Sequence, residues 1–217
     1  MQINPKRALV LSPHTDDSII GAGALLYMLA KQGCEIDYHV FTKCDDTLVG
    51  TRFPQGELAR EDEKAAKLLG VKNCIYHDFV NKRLPESRQE ILDIIYTYRK
   101  DPDLDLIIAP YIGDFHQDHK TVAEEALRAA TRHRVTLIQY RIKGTSKDFN
   151  PNLYVPLTRD EVDMKMKALA CYKTQFELRN KWFGPENFEA IMRSDGVYIN
   201  TEFAEAFVLV RGTWIFE

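Results

Sequence analysis

The 217-residue sequence contains no apolar stretch near the ~20 residues that a membrane-spanning helix requires. It also lacks an excess of one charge: 29 Lys and Arg against 32 Asp and Glu leave a formal net charge of −3. Neither nucleic acid nor a membrane surface is therefore expected as a partner. The basic run Arg128, Arg132, Arg134 reads as a solvated helix end. Cysteine is scarce, and Cys34, Cys44, Cys74 and Cys171 form no Cys-x-x-Cys pair. That pattern excludes a cysteine-built metal knuckle and a disulfide framework. No signal-peptide pattern precedes the first apolar run, so a cytoplasmic setting is expected. Internal repeats, low-complexity tracts and linkers are missing as well, and residues 1–217 are expected to form a single domain.

What is present is enough apolar sequence for a substantial core, at 45% hydrophobic residues. Strand-length apolar runs alternate with helix-length amphipathic segments. Strands are expected at Ala8–Leu11, Ile36–Thr42, Asn73–Tyr76, Leu106–Ala109 and Val135–Tyr140. Helices are expected at Ser18–Gln32, Glu57–Leu69, Ser87–Arg99 and His119–Thr131. This alternation predicts an α/β fold, a Rossmann-like mostly parallel sheet with helices on both faces. The last third is less regular, with a helix expected at Thr158–Tyr172, a loop at Trp182–Glu186 and a final strand at Phe207–Val210.

Two polar clusters fall where open parallel sheets place their ligands, beyond the carboxyl ends of strands. Ser12-Pro13-His14-Thr15-Asp16-Asp17-Ser18 follows the first strand, and Asp114-Phe115-His116-Gln117-Asp118-His119 follows the fourth. These strands are neighbours in the commonest doubly wound order, so the clusters can meet despite their separation. Each has a bland reading, since Asp and Ser also cap helices. Adjacent like charges at Asp16 and Asp17 are costly without a cation nearby, however, and His supplies a second ligand type. Together the clusters suit a catalytic metal site, which needs three protein ligands and an open fourth position. Gly21-Ala22-Gly23 does not make a dinucleotide loop: Leu26 stands where a third glycine belongs, and close helix packing explains the pair better. His39, His77 and His133 read as structural or exposed.

Pro13-His14-Thr15-Asp16-Asp17 and His116-Gln117-Asp118-His119 resemble the two main motifs of the PIG-L or LmbE-like N-acetylglucosamine deacetylases. Weaker echoes lie at Arg60-Glu61 with Ala65-Ala66 and Leu69-Gly70, at Lys167 to Gln175, and at Glu205-Ala206-Phe207. The resemblance implies Zn2+ held by His14, Asp17 and His119, with Asp16 as general base. It implies His116 as acid or oxyanion stabiliser, Asp118 as its orienting partner, and Arg60 as a substrate contact. Thr15, Ser18 and Tyr172 depart from the family pattern and weaken any transfer of substrate preference.

Zinc chemistry suits an amide, because the metal polarises the carbonyl and acidifies water. A carboxylate outside the ligand set can then take the proton, and zinc with a protonated His116 can share the oxyanion. The implied activity is removal of an N-acetyl group from a small N-acetylated sugar conjugate, with Tyr111, Phe115, Trp182 and Phe183 as candidate walls for a sugar ring. A homo-oligomer is compatible with the sequence. Three other readings remain: a zinc amidase for a non-sugar acylated amine, a non-catalytic metal-containing binding protein, and a metal phosphoesterase. The last fits least, since two-metal sites need more ligands than these clusters offer.

Overall fold

The computed structural model describes residues 4–213. Five strands, β1 (Arg7–His14), β2 (Glu35–Thr42), β3 (Asn73–Tyr76), β4 (Leu104–Pro110) and β5 (Thr136–Tyr140), pair in parallel. Strands β6 (Leu153–Leu157) and β7 (Phe203–Arg211) complete one seven-stranded sheet in the order β3-β2-β1-β4-β5-β7-β6. β7 runs antiparallel to both of its neighbours. β1 is central and buried through nearly its whole length, which is why it reads as an unbroken apolar run.

Alternation along β1 assigns the layers. Ala8 and Val10 face a core with α1 (Asp17–Lys31), α2 (Glu57–Leu68) and α5 (Arg159–Leu169). Leu9 and Leu11 face α3 (Arg88–Thr97) and α4 (Gln117–Ala130) on the other side. The expected α/β architecture is therefore observed, with helices on both faces. No helix among the described residues is long and apolar enough to cross a membrane.

The C-terminal third holds more structure than its sequence suggests. β6 contains Pro156, which a central strand would not tolerate, and it lies at the sheet edge. A short helix α6 (Lys173–Leu178) and the longer α7 (Pro185–Val197) follow α5. Pro185 looks like part of a loop but occupies the first helical turn, where its missing N–H costs nothing. α5 begins at a capping box of Thr158 and Glu161.

α1 is fixed to this third of the chain by a buried ion pair. Lys165 Nζ of α5 donates to Ile20 O at 2.6 Å and to Glu205 Oε1 of β7 at 2.7 Å. The Glu205 carboxylate in turn accepts Ala24 N at 3.0 Å and Leu25 N at 2.8 Å. Both side chains thus reach into the backbone ladder of α1. The glycines there are packing residues: a Cβ on Gly21 would sit 2.2 Å from the Tyr140 ring, and one on Gly23 3.2 Å from Lys165 Cγ.

Candidate metal centre

β1 and β4 lie side by side, and the helices that follow them leave to opposite faces of the sheet. That is the switch point of the fold. His14 ends β1 and Asp17 opens α1, with Thr15 and Asp16 making the turn between them. His119 lies in the first turn of α4, which begins at Gln117, two residues before the expected start.

Three atoms converge at this point. Asp17 Oδ2 lies 3.0 Å from His14 Nδ1 and 3.2 Å from His119 Nε2, and the two nitrogens are 3.1 Å apart. Metal–ligand bonds of about 2.0–2.1 Å at tetrahedral angles would space their ligand atoms by about 3.3 Å. The triangle therefore fits a zinc-sized ion with little adjustment. His116 joins the same group, since ligand atoms of His14, His116 and His119 all lie within 4.8 Å of one another.

Hydrogen bonds separate the role of His116 from those of the other two rings. His116 caps α4, its Nδ1 accepting from the Asp118 amide at 3.2 Å. A neutral ring that accepts at Nδ1 carries its proton on Nε2, so His116 presents a donor to the centre. His14 is the reverse case. Its Nε2 meets Asp118 Oδ2 at 3.1 Å, which leaves the Nδ1 lone pair for the centre. His119 Nδ1 is buried without a formed hydrogen bond, 3.3 Å from Asp114 Oδ1, and its Nε2 faces the centre.

The Asp118 carboxylate, expected from sequence to orient His116, makes no hydrogen bond to that ring; only the Asp118 amide does. Its buried carboxylate accepts from His14, from Lys82 N at 2.7 Å and from Leu84 N at 3.1 Å. His116 and Asp118 are two apart at a helix start, and side chains so spaced do not face each other. Nor is the His116 pKa raised: burial, followed by the charges of His14 and His119, lowers it.

The other groups respond to one another. Burial alone would lower His14 and His119, but Asp17 and the carboxylates of Asp118 and Asp114 lift them to about 9 and about 10. Asp17 is held below its ordinary value by the two rings, against the effect of burial. Asp16 moves the opposite way, driven up by burial and then by the neighbouring charges of Asp17 and Asp62. Its backbone has φ 85°, a left-handed conformation unusual for a non-glycine residue.

Two carboxylates take parts that the sequence did not assign: Asp114, a member of the second cluster given no role of its own, and Asp62, which was not singled out. Asp114 accepts His116 N at 2.8 Å and the hydroxyls of Thr145 and Ser146 beside His119. Asp62, on α2, accepts the Asp16 amide at 2.9 Å. The structure does not bring every expected residue to the centre. Arg60 is exposed and bonded to Glu57 at 2.6 Å, with no hydrogen bond or ion pair to the cluster. Phe183 is buried among Tyr172, Phe176 and Phe188 and is core, not a ring wall. Phe115 is 70% exposed and Trp182 43% exposed. All four cysteines are free.

Fold and cluster together define an α/β protein with a metal-type centre at its switch point. The family model described as PIG-L, GlcNAc-PI de-N-acetylase, matches residues 9–130, and the chain belongs to that family. It is 25% identical over 232 residues to a diacetylchitobiose deacetylase of Thermococcus kodakarensis, covering 97% of this chain and 85% of that protein. The N,N'-diacetylchitobiose deacetylase of Pyrococcus horikoshii superposes with a TM-score of 0.76 at 25% identity, covering 94% of this chain and 84% of that one. A 4-carboxy-2-hydroxymuconate hydratase of Pseudomonas putida superposes with a TM-score of 0.80 at 17% identity, covering 98% and 99%. The last likeness is one of fold alone, and the fold hosts more than one chemistry.

Proposed function

We propose that this protein is a zinc-dependent N-deacetylase that hydrolyses the acetamide of an N-acetylglucosamine-type sugar conjugate. The observation that carries the reading is the triangle of His14 Nδ1, Asp17 Oδ2 and His119 Nε2, with edges of 3.0, 3.1 and 3.2 Å. These three residues would hold the ion. Family membership and the diacetylchitobiose deacetylases among its relatives support the acetyl-sugar substrate. The single sheet, which joins strands from both ends of the described chain, supports one domain.

Zinc bound there supplies Lewis acidity toward the amide carbonyl and acidifies water. The side chains around it do the rest. Asp16 is nearly buried, and no donor among the described residues hydrogen-bonds its carboxylate, so it is free to take a proton from water. Burial, then the charges of Asp17 and Asp62, raise its pKa, which makes it a stronger base than a solvent-exposed aspartate. His116 offers its Nε2 proton to the oxygen that gains negative charge as the carbonyl is attacked. The departing amine needs a proton, and Asp16 can return the one it took. Asp118 and Asp114 orient His14 and His119. Arg60, on α2 like Asp62, stays a proposed substrate contact. A cytoplasmic location completes the proposal.

Metal analysis paired with acetate release from N,N'-diacetylchitobiose, other N-acetylglucosamine conjugates and acyl-amino acids tests the reading. Turnover confined to acyl-amino acids would replace the sugar substrate. Zinc without turnover of any acylated amine would favour a binding protein. Asp16→Asn is expected to retain zinc and lose nearly all turnover, and loss of the metal instead would contradict its role as base.

A further inference from the structure

Asp62 lies inside α2 in the run Arg60-Glu61-Asp62-Glu63-Lys64, which reads as a solvated helix face. It is instead fully buried. Four donors point at its carboxylate. Oδ1 accepts Asp16 N at 2.9 Å, Tyr38 OH at 3.2 Å and Tyr172 OH at 2.6 Å, and Oδ2 accepts Tyr76 OH at 2.7 Å. The phenols come from β2, from β3 and from the turn after α5. A buried anion is costly unless it is fully hydrogen-bonded, and here it is.

The peptide so held is the one that needs holding. Asp16 adopts φ 85° and ψ −30°, which costs a non-glycine residue free energy and persists only where the surroundings enforce it. It stands at the N-cap position of α1 without a side-chain cap of its own. Its carboxylate accepts no hydrogen bond among the described residues. With no hydrogen bond holding the carboxylate itself, the anchored backbone at Asp16 sets the Cα–Cβ direction from which it projects.

We propose that Asp62, clamped by Tyr38, Tyr76 and Tyr172, is a positioning residue that fixes the Asp16 peptide and so aims the Asp16 carboxylate. This rests on the base role proposed above for Asp16. Tyr172, which departs from the family pattern, acquires a reason on this view: its hydroxyl makes the shortest of the three phenol bonds. The burial that pushes all three phenols up keeps them protonated as donors.

Asp62→Ala and Asp62→Asn, in zinc-loaded protein, separate positioning from stability. Asn keeps an acceptor for the Asp16 amide, whereas Ala removes it. In Asp62→Ala the Asp16 amide should exchange with solvent about tenfold faster or more, with the amides of Ala22 to Leu29 unchanged. With N,N'-diacetylchitobiose as probe, kcat should fall about 100-fold, the scale of misplacing a reacting group by an ångström. KM should stay within about twofold, and Asp62→Asn should restore most of kcat. Unchanged Asp16 exchange, unchanged kcat, or an Asn variant as impaired as Ala would each overturn the inference. Should Asp62→Ala not fold, Tyr76→Phe combined with Tyr172→Phe carries the test, with faster Asp16 exchange and an about fivefold lower kcat expected; wild-type values of both overturn it. Asp16→Asn, run alongside, keeps the two readings apart. Full activity there removes the base role, whereas an inert Asp16→Asn with an unimpaired Asp62→Ala removes only the positioning role.

Discussion

Removing the Asp118 carboxylate should weaken the metal centre without touching a ligand. In Asp118→Ala the His14 ring loses the acceptor 3.1 Å from its Nε2, the contact that fixes which nitrogen carries the proton. Without it the ring can rotate or exchange tautomer, and the Nδ1 lone pair is no longer reserved for the ion. Loss of such a supporting partner typically costs 10–100-fold in metal affinity, or about 1.4–2.7 kcal/mol. A second cost falls on folding. Leu84 N, buried and bonded to Asp118 at 3.1 Å, is left unpaired, at about 1–3 kcal/mol. Asp118→Asn should be milder for the metal, since its one carbonyl oxygen can still accept from His14, but not for folding, because its NH2 group then faces the Leu84 N–H. Zinc affinity measured by chelator competition at one fixed pH, with urea unfolding of the metal-free protein alongside, gives both quantities. An Asp118→Ala protein that binds zinc within about twofold of wild type would refute this account of His14.

In metal-free protein, the His14 and His119 values of about 9 and about 10 lie above the unfolded value near 6.5. Their contribution to stability is thus complete below about pH 6.5 and is lost as pH rises through 9 and 10. Zinc must displace those protons, so its affinity should rise over the same interval, and unfolding with and without zinc should diverge as pH increases. A zinc affinity that does not vary between pH 6.5 and 9 would contradict the paired-imidazole picture. Lys165→Met strands the Glu205 carboxylate beside α1, and breaking such a buried pair should cost about 3–5 kcal/mol by urea unfolding. Loss of under about 1 kcal/mol would mean that the pair contributes no more than a surface one.

β1 and β4 were legible because burial on both faces turns them into short continuous apolar runs, as in Leu106–Ala109. The two metal-type clusters were legible because their residues are local and stand at strand ends. Asp62 was hidden among charged neighbours on α2, and nothing nearby in sequence announces partners from β2, β3 and the turn after α5. Asp118 was found, but the bond of its carboxylate to His14 was not, because closeness in sequence to His116 concealed its closeness in space to His14. β6 and α7 were missed at Pro156 and Pro185, where proline marks a sheet edge and a helix start.

The bond from Glu205 to the Ala24 amide closes a loop of 181 residues. On the ribosome, α1 emerges early, whereas its partners on α5 and β7 emerge late. Until then the middle of α1 lacks its buried ion pair, and Asp17 opens a helix that is not yet secured. Contacts so distant in sequence are slow to form. Assembly of the His14–Asp17–His119 triangle is therefore expected to be a late event in the life of the nascent chain, and early metal capture by the β1–α1 turn alone should be weak.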